Sequence, residues 1–175
     1  EKSSAKALDY LEKLGVEVKL NSIVEDYDGE TCFIKGGDKI QTHNLVWAAG
    51  IIGNKVTGLP DEVYARGGRM VVNSFNRVEG VEEVYALGDV AFMSTSDYPN
   101  GHPQVAQSAI QQARNLSKNF IARLDNKKEK PFKYKNLGSM ATVGRNKAVV
   151  DLPKRQMSGF LAWLVWMIVH LRSIL

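Results

Sequence analysis

Apolar residues fall at positions 7, 8, 11 and 14, along one face of a helix, and Gly15 follows where a helix end calls for a residue tolerant of positive φ. The spacing predicts a first helix over 5–14. The period then drops to two over 16–20, and short strands follow, separated by Asp28-Gly29 and Gly36-Gly37, both hairpin turn pairs. Residues 45–48 form a continuous apolar run that opens at Ala49-Gly50, the pattern of a parallel strand buried on both faces. A helix, a meander and a buried strand make up half of a nucleotide-binding α/β domain.

A turn-rich linker over 51–68 leads to a short strand at 70–72, and a second buried strand is expected at 84–87, ending at Gly88-Asp89. After the polar loop 94–101, Pro103 suits the first turn of a helix that runs to about Leu124, because its missing N–H would be unpaired there anyway. Residues 127–136 read as a charged surface connection, 139–143 and 147–150 as strands around Gly144. Between Phe160 and Leu171 only His170 interrupts the apolar composition. That run is shorter than the about 20 residues a membrane span needs, and it carries Trp163 and Trp166. A helix that lies on a membrane or dips into it is the expected form, with Phe160, Trp163 and Trp166 at the boundary and a buried core or dimer helix as the alternative.

Charge sharpens this picture. Up to Ala113 the chain has 10 Lys and Arg against 16 Asp and Glu; from Arg114 to Arg155 it has 12 against 3. The basic part lies just before the apolar end and suits an anionic membrane surface. It has no repeated aromatic interleaving and no reading motif, so nucleic acid is not an expected partner. The single cysteine, Cys32, excludes an internal disulfide framework, a multi-cysteine metal site and paired-cysteine redox chemistry. The opening EKSSAKALDYLEKLG has neither an initiator Met nor a signal-like run, and it reads as part of a longer protein.

The chemistry concentrates around one junction. Gly88 lets backbone approach a cofactor closely, and Asp89 can accept hydrogen bonds from sugar-like hydroxyls, although Gly-Asp is by itself also a common turn. The next helix brings its N-terminal N–H groups toward whatever Asp89 holds. Ala106 and Ala109 leave room for a flat ring, and Gln107 and Gln111 share a face that offers amides and no charge. His102 and His170 have no carboxylate partner visible in the sequence, so they read as a loop and an interfacial histidine, and no residue is assigned as catalytic.

The heptapeptide AQSAIQQ at 106–112 resembles the A-Q-x-A-x-Q-Q signature of type II, non-proton-pumping NADH:quinone oxidoreductases, and VYALGD resembles their second flavin motif. WAAGI, LGSMATVGRNKAVVDLP and the AWLVWMIVHL ending resemble the family's nicotinamide-side loop, post-helix sheet and membrane-facing end, so the likeness covers the whole chain. The fold it implies is α/β, a partial two-dinucleotide-binding-domain (Rossmann-like) flavoprotein with a C-terminal membrane-associated helix. Residues 1–52 would be the second half of an NADH-binding domain, 53–125 the C-terminal part of an FAD-binding domain, and 126–175 a quinone-side segment for membrane anchoring or dimerisation.

The resemblance also implies roles. Gly88, Asp89, Ala106 and Gln107 would contact FAD, and Ala49 and Gly50 would lie against NADH. Gln107, Gln111, Ser139 and Met140 would border a quinone. A homodimer is among the expected partners, and the location would be peripheral, on the cytoplasmic face of a bacterial inner membrane or its mitochondrial equivalent. No G-x-G-x-x-G fingerprint occurs in the chain. The family carries both copies upstream of the matching region, so this stretch alone is expected to be inactive. Competing readings are a noncatalytic membrane-docking or dimerisation module and another FAD-dependent pyridine nucleotide-disulfide-type reductase. A sulfide:quinone reductase would need the paired cysteines that are missing here.

Overall fold

The computed structural model describes residues 2–174. They form two compact units, one made of the chain up to Ala48 together with the chain from Leu137 onward, the other of Ala49–Asn136.

In the first unit α1 (Lys2–Lys13) ends as its sequence predicts. Gly15 takes φ +82°, its N–H donates to Glu12 O (2.9 Å), and the Val16 N–H returns to Leu11 O (3.1 Å). β1 (Val24–Tyr27), β2 (Thr31–Ile34) and β3 (Lys39–Gln41) form an antiparallel meander in that order. Its turns lie at the expected glycines: Gly29 at φ +101°, with Asp28 Oδ1 accepting from the N–H of Glu30 and Thr31, and Gly36 and Gly37 at +105° and +101°.

Two expected strands are absent from this unit. Residues 16–20 form no strand, with Val16 and Leu20 exposed. Residues 45–48 form no strand, and Val46 and Trp47 are 88% and 64% exposed. A parallel strand takes its hydrogen bonds and its cover from neighbours on both sides, and the described residues supply none.

The later half of the unit is a second antiparallel sheet, β7–β8–β9, under a helix. Its strands are numbered after β4 (Tyr64–Ala65), β5 (Arg69–Val71) and β6 (Ala91–Phe92) of the other unit. β7 (Ser139–Thr142) and β8 (Ala148–Leu152) match expectation, whereas β9 (Arg155–Gly159) was not expected because Met157 is the one large apolar residue in it. Ser3 Oγ on α1 donates to Asp151 Oδ1 at 2.5 Å. Gly159, at φ +82°, turns β9 into α3 (Phe160–Ile174). Ala162 is fully buried against Ala148 and Val150, and Met140, Met157, Trp163 and Trp166 close around them. The other side of α3 presents Leu161, Ile168, Val169 and Leu171 to the exterior. Among the described residues no helix is long and apolar enough to cross a membrane.

In Ala49–Asn136, β4 pairs antiparallel with β5, and β5 pairs parallel with β6. Val63, Met70, Val72, Val78, Ala86, Ala91, Met93 and Phe132 make the core. The strand expected at 84–87 reduces to one bridge, Arg77 to Tyr85, and Gly88–Val90 closes a short 3-10 turn that feeds β6. α2 runs Ala106–Leu124, so the predicted end holds but the start does not. Pro103 belongs to the preceding turn, where its carbonyl accepts the Val105 N–H (3.0 Å).

α2 buries its polar side. Ser108, Gln112, Leu116 and Asn119 face inward, while Ile110, Phe120, Ile121 and Leu124 are exposed. The inward amides bind backbone. Asn119 donates to Lys130 O and accepts the Lys130 N–H (both 2.9 Å), Asn115 donates to Lys130 O (3.1 Å), and Gln111 donates to Lys135 O (2.9 Å) and accepts the Lys135 N–H (3.0 Å). Glu129 meets Arg77 and Arg123 at 2.6 and 2.7 Å.

Residues 127–136 are therefore strapped to α2 and are not a free surface connection, with Phe132 in the core and its N–H on Ser74 O (2.7 Å). Residues 126–136 lie in the same compact unit as α2.

Candidate functional site

Gly88 occupies a position only glycine fits easily. Its φ is +68°, and a Cβ there would lie 3.0 Å from the Ala109 Cβ. Its N–H donates to Gln112 Oε1 at 2.6 Å, and Gln112 is 1% exposed. A buried amide thus clamps the loop onto the first turns of α2, and Ala109 is small so that the loop can come down on it. Gln104 adds a second tie, donating through Nε2 to Asp89 O at 3.0 Å.

The Asp89 side chain is exposed and accepts no hydrogen bond among the described residues. Val105 stands at the N-cap of α2 with no side-chain acceptor to offer, so the helix presents an uncapped N-terminus beside the loop. Ala106 is exposed and Gln107 half-buried. Gly88, Asp89, Ala106 and Gln107, predicted from separate motifs, are brought into one neighbourhood.

The remaining predicted residues are distributed more widely. Ala49 and Gly50 open the same unit, exposed, with Gly50 at φ +110°, and no hydrogen bond among the described residues joins them to Gly88 or Asp89. Gln111 is on α2 with its amide engaged to the Lys135 backbone. Ser139 and Met140 are on β7 in the other unit, Met140 packed beneath α3. Phe160, Trp163 and Trp166 are on α3. Trp163 and Trp166 are half-buried on its sheet side, stacked with Phe160 (5.5 Å) and His170 (4.2 Å), while Phe160 itself is exposed.

Gln112 and Gln104 were missed by sequence reading. The signal for Gln112 was its place four residues after Ser108, a polar pair on one helical face.

His102 lies in the loop before α2, as expected. It is buried, its ring packed against Tyr98, Phe132 and Tyr134 at 5.2, 5.4 and 5.5 Å, and its Nδ1 has no partner among the described residues. Burial, then the nearby Arg69 cation, holds its pKa below the usual imidazole value. The sign follows directly. Above about pH 6.5 the ring is neutral folded or unfolded; below it the unfolded chain takes up the proton first, so stability falls until the lower folded pKa is reached. The melting temperature of the chain is expected to drop between about pH 7.5 and 5.5, and His102→Phe should flatten that slope. An unchanged slope in the variant would assign the acid sensitivity elsewhere.

The sequence profile described as pyridine nucleotide-disulphide oxidoreductase matches residues 1–113. A type II NADH:quinone oxidoreductase, NdhA, of Mycobacterium tuberculosis is 38% identical over 183 residues, covering 97% of this chain and 38% of that protein. The mitochondrial internal alternative NAD(P)H-ubiquinone oxidoreductase A1 of Arabidopsis thaliana is 31% identical over 96% of this chain and 36% of its own length. The chain thus spans a little over a third of these curated relatives. The solved structure of NDH2 from Plasmodium falciparum in complex with NADH superposes with a TM-score of 0.82 at 20% identity, over 100% of this chain and 51% of that one. That likeness gives the fold, an α/β arrangement common to both.

Proposed function

The chain belongs to the pyridine nucleotide-disulphide oxidoreductase family, and on that premise we propose that it is part of a flavoprotein that passes a hydride from NADH to FAD and two electrons on to a membrane quinone, without pumping protons. The single observation that carries this reading is the clamped junction: Gly88 held by Gln112 over the start of α2, with the Asp89 carboxylate outward. The relatives named above point the same way.

The residues present suit FAD. The Asp89 carboxylate, exposed and unclaimed by other donors among the described residues, can accept hydroxyls of the ribityl chain. The uncapped N-terminus of α2 at Ala106 and Gln107 favours the electron-rich pyrimidine edge of the ring by about 0.3 to 1 kcal/mol. FAD, when bound, supplies the redox chemistry that joins the two substrates. The chain's part is to hold and orient. Gly88 admits the backbone close to the cofactor, Ala49 and Gly50 serve the NADH side, and Gln107 borders the quinone. Gln111 joins it on the quinone side, a wall whose amide is tied to the 130–135 strap, and Ser139 and Met140 are assigned to the quinone by likeness to the family alone.

A lipid-soluble substrate matches a peripheral location. α3 has 15 residues, roughly 22 Å of helix against the roughly 30 Å of a bilayer core, and presents its outward apolar side to the interface. The cytoplasmic face of a bacterial inner membrane, or its mitochondrial counterpart, and a homodimeric assembly belong to the same proposal.

The test is made on the full-length protein, by its flavin absorbance and by NADH oxidation with a short-chain quinone and with ferricyanide. Gln107→Ala should lower quinone kcat/KM about tenfold, equivalent to about 1.4 kcal/mol, and leave the ferricyanide rate unchanged. Equal losses with both acceptors would contradict the role given to Gln107, and no quinone-dependent rate in the unmodified protein would remove the function.

A further inference from the structure

Arg69, at the start of β5, is a buried cation, 8% exposed. Its Nε and Nη2 donate to Ala91 O (3.1 and 2.6 Å), Nη2 also donates to His102 O (2.9 Å), and the guanidinium lies 5.5 Å from the centre of the Phe92 ring. Burial draws its pKa below the ordinary arginine value, and the Asp89 charge works in the opposite direction. Taking a cation out of water is costly, and an apolar side chain would fill the same space without that cost. The guanidinium is kept for what its donors join.

The two carbonyls belong to the two stretches of chain that frame the Gly88-Asp89 junction. One is 88–93, which carries that junction into β6; the other is 101–104, which leads into α2. Three ties run between them. Gln104 Nε2 donates to Asp89 O (3.0 Å), Arg69 bridges Ala91 O and His102 O, and the His102 N–H donates to Met93 O (3.1 Å). The middle tie alone comes from a third element, β5, and it alone carries a charge. Gly101 is fitted to it: at φ +83°, a Cβ there would lie 2.9 Å from the Phe92 ring and 3.2 Å from Arg69 Nη1. Backbone that favours glycine therefore lets the second stretch close down on the guanidinium.

We propose that Arg69 is a positioning residue for the flavin: by holding Ala91 O and His102 O on one guanidinium, it fixes the Gly88-Asp89 loop against the entry to α2. The inference rests on the function proposed above and adds to it a residue that acts through the backbone of others. A planar fork with fixed donor directions sets the spacing of two carbonyls, whereas a lysine ammonium is a point charge on a flexible stem and does not. Since Asp89 lies two residues before Ala91, and Ala106 four after His102, that spacing is passed to both groups assigned to the cofactor.

The test uses the full-length protein, with FAD affinity from titration of the apoprotein and the visible circular dichroism of the bound flavin. Arg69→Lys, which keeps the charge but loses the fork, is expected to weaken FAD about tenfold and to alter the flavin spectrum. Asn119→Ala is the comparison: it cuts buried ties to Lys130 in the same unit and should lower the melting temperature with FAD affinity and spectrum unchanged. Gln104→Ala removes the neighbouring tie and should weaken FAD as well. If Arg69→Lys does not fold, Gln104→Ala decides: unchanged affinity and spectrum would mean that ties between the two stretches do not position the flavin. Folded Arg69→Lys with unchanged affinity and spectrum overturns the proposal, as does a loss that Asn119→Ala reproduces at an equal melting temperature. Unmodified protein that binds flavin and reduces quinone beside such results leaves the proposed function standing; unmodified protein that binds no flavin removes both.

Discussion

Replacing Gly88 with valine is expected to destabilise the Ala49–Asn136 unit by roughly 2–5 kcal/mol and to strip the full-length protein of flavin. Two separate costs add. A left-handed backbone at φ +68° costs an L residue about 1–2 kcal/mol. The side chain must then enter space already held by Ala109, whose Cβ lies 3.0 Å from where the new Cβ would be, and overpacking of that kind costs about 1–3 kcal/mol. The reading is a urea midpoint followed by far-UV circular dichroism, or faster hydrogen exchange at the first turns of α2.

A designed control divides the two costs. Gly88→Ala combined with Ala109→Gly relieves the contact but keeps the strained φ, so it should recover part of the loss of Gly88→Ala and not all of it. If Gly88→Val leaves the midpoint and the flavin content unchanged, the loop does not sit on α2 as described, and the flavin assignment falls with it.

The second large effect concerns the outward side of α3. Changing Leu161 and Ile168 together to glutamate is expected to lower partition onto anionic vesicles by about 100-fold or more. Each residue is more than half exposed, 66% and 56%, and each contributes about 1.5–3 kcal/mol when its side chain enters lipid. On the proposed membrane contact, two carboxylates would also be repelled by the anionic lipids for which the Lys- and Arg-rich stretch 114–155 is suited. Because these side chains do not pack on β8, the fold should survive; Ala162→Glu, at a fully buried position, should unfold the unit instead. Cosedimentation with vesicles at low and high salt makes the measurement. A double-glutamate variant that stays bound at both salt levels would show that α3 is not the membrane contact.

Much of the candidate site was legible before any coordinates. Gly88-Asp89 followed by AQSAIQQ pointed to a loop over a helix start, and the structure brings those residues together. The meaning of the glutamines was not legible. Gln112 is spent on one buried N–H, Gln111 on the backbone of Lys135, and Gln104 on the carbonyl of Asp89. An amide reads the same in sequence whether it meets solvent, ligand or another backbone, and only its neighbour decides.

Strands were legible when their partners lay close in sequence, as in β1 to β3, and failed at 45–48 and 84–87, where an apolar run implies distant partners that the described residues do not provide. The strap at 130–135 escaped notice for a related reason. Its lysines announce a surface, while its anchors, Phe132 and three amides of α2, lie on other elements or on one aromatic ring among charges.

By itself the sequence determined the features that are set within a few residues: the end of α1 at Gly15, the glycine turns of the meander, the helical stretches, and the motifs that mark the family. These follow from backbone sterics and short periodicities, which need no distant contact. Tertiary structure alone decided that α2 turns its polar side inward, that the chain from Leu137 joins the chain before Ala49, and that the loop residue His102 is buried. Each of those depends on which groups meet across long separations, where desolvation and hydrogen-bond satisfaction, not local propensity, set the outcome.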